Sequence, residues 1–311
     1  MGTTLTQIRQ YIGAELGLFV TGTNNSSGGT TTTAVDDQLK STLSISDHYV
    51  DWCYIIPAAS AADDRVSRTV TTYAPSTGTI TVERAWSGSS IADSAVYEMH
   101  GAIEPWTDLP LCINDALKRL MLVVEITVTP TADAIRHDLT TANTWLTDPR
   151  WVRQVGYLVT GETRATVDPF RNRKVRGYAS RDSGVVYLNH EPTTFASNVT
   201  LYVRCLKPAY FHCRTDSNAS YGSVTTGLSA EANETEVEKE AVGAGAIVCA
   251  LNRNLLMIPK DENSQLLETL DRARRRWSDW CHIYDPRGRE DGRLTFRRNP
   301  ISAGARWWVY R

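Results

Sequence analysis

The stretch from Arg68 to Val82, RTVTTYAPSTGTITV, decides how the first part of this chain folds. Two runs rich in β-branched residues flank a turn, Ala74–Gly78, that contains both a proline and a glycine. Such a pattern predicts a β-hairpin. Further alternating runs lie on either side of it, at Trp52, Tyr54 and Ile56 and again at Val96–Met99. We therefore predict a first β unit over residues 34–105.

Amphipathic helices are predicted on both sides of this β unit. Apolar residues recur every three or four positions over residues 4–19, and Thr4 with Gln7 fits a capping box, which predicts an N-terminal helix within residues 1–20. The polar run from Thr21 to Thr33 is interpreted as a loop. A central helix is predicted within residues 106–130, from Leu109 to Glu125, with Thr107 or Asp108 as its N-cap.

The rest of the chain again pairs a β region with helices. Its predicted elements are a second β unit over residues 134–213, with a hairpin of Val175–Tyr178 and Val185–Leu188 and a strand at Val199–Leu206, and a helical hairpin over residues 234–284, with helices at Glu234–Met257 and Glu262–Tyr284. Gly243 and Gly245 lie within the first of these helices, where small residues permit close helix packing. The whole pattern predicts an α+β fold: β-rich units flanked by amphipathic helices, then a C-terminal helical hairpin and an extended C-terminal arm.

Composition narrows the class of protein. The 311 residues are 41% hydrophobic and carry a formal net charge of −2, so bulk electrostatics do not favour nucleic acid as the main partner. We expect no membrane span, because no apolar run approaches about 18 residues, and no signal peptide. Six cysteines without a CxxC pair predict free thiols in a protein made in a reducing cytoplasm.

The final segment, residues 285–311, reads as an extended arm. It has no helical period, is interrupted by proline and glycine, and holds seven arginines. Aromatic residues at the end of such a basic segment suggest anchors that enter a pocket of a partner, although a tail folded back over its own domain is the alternative. The candidate docking residues are Arg287, Arg289, Arg293, Arg297, Arg298, Trp307, Trp308 and Tyr310.

Three arginines of the last predicted helix form a second candidate set. Arg272, Arg275 and Arg276 are predicted on the face opposite the apolar stripe, where they could contact DNA in a channel or an acidic surface of a partner ring. The mixed pattern RGREDGR, which follows at residues 287–293, places acids among the arginines. A uniform DNA track would exclude those acids, so a protein partner is favoured.

The sequence carries no catalytic motif that we can assign, and it predicts neither catalytic nor metal-binding residues nor any cofactor. His212 and Cys213, with Cys205 upstream, lack the paired spacing of a zinc site. The adjacent acids Asp36-Asp37 and Asp63-Asp64 are interpreted as solvated loop residues. We therefore expect a protein that is not an enzyme.

The layout resembles the neck or head-to-tail adaptor proteins of tailed bacteriophages. The resemblance is carried by LTQIRQYIGAELGLF at residues 5–19, by the AVDDQL that follows the polar loop, and by DLPLCINDAL at residues 108–117. It implies a structural virion protein, made in the host cytoplasm, that forms a ring, twelve-fold in that class, between portal and tail. Its implied partners are copies of itself, the portal protein, tail or further neck proteins, and DNA passing through the channel without sequence specificity.

A second function stays open. A β-rich receptor- or carbohydrate-binding virion module would use tryptophans exposed on a β surface. Trp52, Trp86, Trp106, Trp145 and Trp151 are the candidates.

Overall fold

The structure is a computed structural model. It describes residues 2–25, 29–41, 45–46, 48–57, 66–87, 95–131, 134–175, 177–190, 198–257, 264–284, 297–298 and 308–309, of which residues 177–178, 190, 264–266, 297–298 and 308–309 are described in their backbone only. Helices and antiparallel sheets are both present, which confirms the predicted α+β class. The chain divides into two compact units. Unit 1 comprises Met1–Arg119 and His212–Arg311, and unit 2 comprises Leu120–Phe211.

In chain order, the elements of the first part of unit 1 are β1 (Thr3–Thr4), α1 (Leu5–Glu15), β2 (Phe19–Thr23), β3 (Thr33–Val35), β4 (Cys53–Ile55), β5 (Arg68–Ala74), β6 (Thr79–Val82), β7 (Val96–His100) and α2 (Asp108–Arg119). Unit 2 contains β8 (Met121–Val128), β9 (Arg136–Asp138), β10 (Val152–Val159), α3 (Pro169–Asn172), β11 (Gly177–Asp182), β12 (Val185–His190) and β13 (Val199–Pro208). The second part of unit 1 adds β14 (Glu234–Thr235), α4 (Lys239–Asn252), α5 (Ser264–Tyr284), β15 (Arg297–Arg298) and β16 (Trp308–Val309).

A six-stranded antiparallel sheet with the order β2-β7-β4-β5-β6-β3 forms the β part of unit 1. The predicted hairpin is confirmed as β5 and β6, which pair from Val70 with Val82 to Ala74 with Thr79. Its turn needs glycine at position 78, where φ is +65° and a Cβ would collide with the backbone carbonyl of Asp36. Alternate residues of the sheet, such as Tyr54 and Met99, form a buried apolar cluster.

The predicted N-terminal helix is too long. Thr4 and Gln7 form the expected capping box, but α1 ends at Glu15 and Gly17 takes a left-handed conformation with φ of +70°. Phe19–Thr23 then forms β2, so the interpretation of Thr21–Thr23 as loop is also wrong. Pairing with β7 decides the conformation of this polar run, because its own composition does not favour a strand.

The prediction likewise makes the central helix too long. The structure ends α2 at Arg119, and Met121–Val128 forms β8 instead of two further helical turns. Leu120, Met121 and Val124 fit the apolar spacing of a helix, but the sequence VVEITV is β-branched at five of six positions. Such residues prefer a strand, and pairing with β13 satisfies that preference.

Unit 2 holds two three-stranded antiparallel sheets, with the orders β10-β13-β8 and β11-β12-β9. The predicted strand at Val199–Leu206 is confirmed within β13. The second hairpin is confirmed as β11 and β12, but its turn is shorter than predicted, because Ser183 and Gly184 alone connect the strands, both with positive φ. Side chains such as Leu188, Leu201 and Val203 share one buried cluster.

The helical part of unit 1 consists of α1, α2, α4 and α5. The prediction for Gly243 and Gly245 is confirmed: a Cβ at either position would collide with a neighbouring aromatic ring, that of Tyr11 on α1 or that of Trp277 on α5. The absence of these side chains therefore allows α4 to approach both helices. The first helix of the predicted hairpin begins later than expected, at Lys239, and the described part of the second runs from Ser264.

Candidate functional site

The candidate docking residues of the arm lie largely beyond what the structure describes. Arg287, Arg289, Arg293, Trp307 and Tyr310 are outside the described residues, and Arg297, Arg298 and Trp308 are described in their backbone only. Within that backbone, Arg297 pairs with Val309 and Arg298 pairs with Trp308 in antiparallel register. The middle of the arm and its C-terminal part therefore form a short β-ribbon. The docking role of the arm's side chains remains a prediction.

The root of the arm is fixed to unit 1. Tyr284, the last residue of α5, is 4% exposed, and its hydroxyl donates a hydrogen bond to the carboxylate of Glu238 just before α4. Burial, together with that carboxylate, raises the pKa of Tyr284 well above its ordinary value. The Trp280 ring lies 5.9 Å from the Tyr284 ring. Residue 285 therefore follows a helix end that is held by packing and by a hydrogen bond.

The faces of α5 follow the sequence prediction in part. Leu270, Ala273 and Trp277 are buried, as the apolar stripe predicted. Arg272 and Arg275 lie on the outer face, and each pairs with an acid one turn earlier, at 3.6 Å for Arg272 with Glu268 and 2.7 Å for Arg275 with Asp271. These ion pairs partly neutralise both arginines. The outer face of α5 thus presents charges of both signs.

The prediction for Arg276 is wrong in part. This residue was expected on the outer face, but its Nη1 atom donates to Glu15 Oε1 at 3.0 Å and to the Tyr11 hydroxyl at 3.2 Å, both on α1. Arg276 lies at the border of the buried stripe, and its long side chain reaches across to the neighbouring helix. Its charge is committed to the packing of α5 on α1, which leaves it poorly placed for DNA.

The most deeply buried charges of unit 1 were missed by sequence reasoning. Arg9 on α1 is 1% exposed and bonds through Nε to Glu98 Oε2 at 2.6 Å and through Nη1 to Glu231 Oε1 at 2.7 Å. Glu98 also lies 3.1 Å from Nε2 of His100. Burial alone would raise the pKa of Glu98, but hydrogen bonds from His100 and Arg9 lower it to about 2.

Burial favours the neutral form of His100, and the neighbouring Glu98 carboxylate opposes that effect. Burial lowers the pKa of His100 from its ordinary value, and its Nδ1 atom has no partner among the described residues. The ring of Phe19 covers it at 5.0 Å. Arg9, Glu98 and Glu231 satisfy one another, so this cluster ties α1 to β7 and to the segment before α4. We interpret it as a structural ion-pair network, since its groups face each other within the core.

The interpretation of Asp36 as a solvated loop residue is wrong. It is 3% exposed, accepts a hydrogen bond from the Tyr97 hydroxyl at 2.7 Å and caps the turn at Gln38. Asp37 is exposed and pairs with Lys40, as expected of a surface acid. Asp63 and Asp64 lie outside the described residues.

The histidine and cysteines considered for metal binding make structural contacts. His212 stacks on Tyr221 with ring centroids 5.6 Å apart, and its Nε2 atom lies 3.6 Å from Glu236. Burial raises the pKa of Cys205 to about 12, and Cys213 is also buried. Across the described parts of the chain, no group of three or more potential ligands could hold a metal ion.

The tryptophans proposed for carbohydrate binding are not exposed. Trp86 and Trp145 are 5% and 8% exposed, and Trp52, Trp106 and Trp151 are half-buried. Trp86 packs edge-on against Tyr54, and Trp145 lies under the Lys207 ammonium at 5.1 Å. These rings contribute mainly to the cores of their units.

No protein-family model matches the chain, and no curated protein matches it. Among the helices in the described residues, none combines the length and the apolar content needed to cross a bilayer.

Proposed function

We propose that this protein is a non-enzymatic structural component of a tailed-phage virion. In this role it forms an oligomeric neck or adaptor ring that joins the portal to the tail and lets DNA pass. The observation that carries the proposal is the fixed root of the arm: Tyr284 is buried and bonded to Glu238, so the basic, aromatic segment 285–311 follows a helix end that is held in place. Extended, those 27 residues would span up to about 90 Å.

The outer face of α5 supports a protein partner over DNA. Arg272 and Arg275 are each paired with an acid of their own helix, and Arg276 bonds to α1. A face of mixed charge offers little attraction to phosphate but can complement a second copy of itself in a head-to-tail ring. The resemblance of residues 5–19 and 108–117 to neck proteins is the reason for proposing that the protein is part of a virion. The candidate tryptophans, two of them buried and three half-buried, give no support to a carbohydrate-binding surface.

Mass photometry of the purified protein, with and without a portal protein, tests the proposal. Three forms are compared: the full chain, a chain that ends at Asp285, and a full-length variant with Trp307, Trp308 and Tyr310 changed to Ala. We expect one defined high-order oligomer, or a complex with the portal, that both arm variants lose while keeping the melting temperature of the full chain. A full chain that stays monomeric and ignores the portal at micromolar concentration would contradict the proposal.

A further inference from the structure

Among the residues that the structure describes, no strand covers the outer edge of β8 in unit 2. The sheet has the order β10-β13-β8, so β10 and β8 are its two outer strands. The edge of β10 is covered by the segment after α3, because Tyr157 donates to the Arg173 carbonyl and Val175 donates to the Val155 carbonyl. β8 differs: throughout the described residues, its backbone pairs with β13 alone.

The hydrogen-bond alternation shows which groups face the open side. Ala209 N–H donates to the Leu120 carbonyl at 2.8 Å, which makes Leu120 and Ala209 a hydrogen-bonded pair. Every second pair of an antiparallel ladder has that pattern. Leu122, Val124, Ile126 and Val128 of β8 therefore bond to β13, and the N–H and C=O groups of the residues between them point outward.

The hydrogen bonds between β13 and β10 lead to the same assignment of inward and outward groups. Thr160 N–H donates to the Asn198 carbonyl at 2.8 Å, so residues 200, 202 and 204 bond to β10 and residues 201, 203 and 205 bond to β8. Consequently, Val123, Glu125 and Thr127 present three amides and three carbonyls along one edge, and none of these groups has a backbone partner in the described part of the chain. A ladder of this length is a template for an added strand.

Nothing in the sequence of β8 protects this edge. MLVVEITV contains no proline and no lysine, the residues that commonly block edge pairing, and Glu125 is its only charge. Val123 is 38% exposed. Natural proteins rarely leave an apolar strand edge uncovered, so a partner strand is expected.

We propose that residues 293–297, RLTFR, from the arm of a second copy pair with the open edge of β8. On β8, the side chains of Val124, Ile126 and Val128 pack on the buried cluster of unit 2, whereas the intervening residues face the other side of the sheet. RLTFR has the same alternation, with Leu294 and Phe296 between polar residues. An added strand would thus extend both faces of the sheet.

One further feature favours this occupant. Charge does not contribute, because Glu125 already pairs with Arg204 at 2.8 Å and with Arg164. The backbone at Arg297 already forms strand pairs, with Val309 as partner. A two-residue ribbon is marginal in water by itself, and joining a larger sheet would stabilise it. This assignment rests on the proposed ring, because a closed ring supplies each β8 edge with a neighbour's arm.

Residue-resolved hydrogen exchange on the full chain tests the pairing, with samples held above and below the concentration at which mass photometry detects the oligomer. The outward amides of Val123, Glu125 and Thr127 should exchange freely in the monomer and at least about 100-fold more slowly in the oligomer. The double variant V123K/T127K, which places lysines on the open edge, should lose the oligomer. The matched control I135K adds a lysine at another exposed apolar residue of unit 2, 54% exposed, and should retain it.

The outcomes separate this inference from the proposed function. If the oligomer forms but the three amides still exchange freely, the inference is wrong and the ring survives. Protection that is already present in the monomer would mean pairing within one chain, which also overturns the second-copy assignment. A wild-type chain that never assembles would contradict the ring itself.

Discussion

Replacing Gly245 with Ala should destabilise unit 1, although alanine is the better helix former. A Cβ at this position would lie 2.7 Å from both Cε3 and Cη2 of Trp277 and closer still to Cζ3. Real Cβ atoms do not come this close to a carbon, and the ring is 8% exposed, so it cannot swing into solvent without loss of packing. Overpacking costs about 1–3 kcal/mol, whereas the helix-propensity gain is about 1 kcal/mol. The net loss should be up to about 2 kcal/mol.

A double-mutant cycle makes this reasoning sharper. In a W277L background the ring is gone, so G245A should become neutral or stabilising by up to about 1 kcal/mol. The free energy of unfolding of the four proteins is measured by urea denaturation followed by far-ultraviolet circular dichroism. If G245A destabilises the wild type and the W277L variant equally, the collision with Trp277 is not the cause and the account of α4–α5 packing is refuted.

Two further predictions concern the charges of unit 1. Because burial lowers the pKa of His100, the folded protein takes up a proton on this ring at a lower pH than the unfolded chain does. The stability that neutral His100 contributes is therefore present above about pH 6.5 and is lost as pH falls below that value. The melting temperature should fall from pH 7 to pH 5, and H100Q should reduce that decrease. The lowered pKa of Glu98 adds a second loss as pH falls from about 4.5 to about 2. R276Q should lower the free energy of unfolding by about 0.5–1 kcal/mol, since Arg276 bonds to Glu15. R275Q breaks only an exposed ion pair and should leave the free energy of unfolding nearly unchanged. Equal effects of the two substitutions in a urea titration would contradict the structural role of Arg276.

Local signals predicted the elements that sequence alone can specify. The hairpin around Ala74–Gly78 is fixed by its own turn residues, and the capping box of Thr4 with Gln7 marks a helix start without help from the rest of the chain. The buried stripe of α5 follows from period alone. These features require no knowledge of distant residues, and the structure confirms them.

Long-range pairing explains most of the errors. β8 and β2 follow helices whose apolar spacing continues past their ends, and only pairing with β13 and β7 makes them strands. Asp36 was interpreted as a solvated acid, and Arg9 and Glu98 were not singled out, yet each is buried opposite a partner about 60 to 90 residues away. A single sequence contains no local signal for such partners.

Single-particle electron microscopy of the purified full chain tests the central claim most directly, since the claim is that this protein builds a ring around a channel. The account predicts closed rings with cyclic symmetry and a central opening wide enough for duplex DNA, and it predicts that the chain ending at Asp285 fails to form them while keeping its melting temperature. Monomers alone, or open filaments without a closed ring, in preparations of the full chain would contradict it.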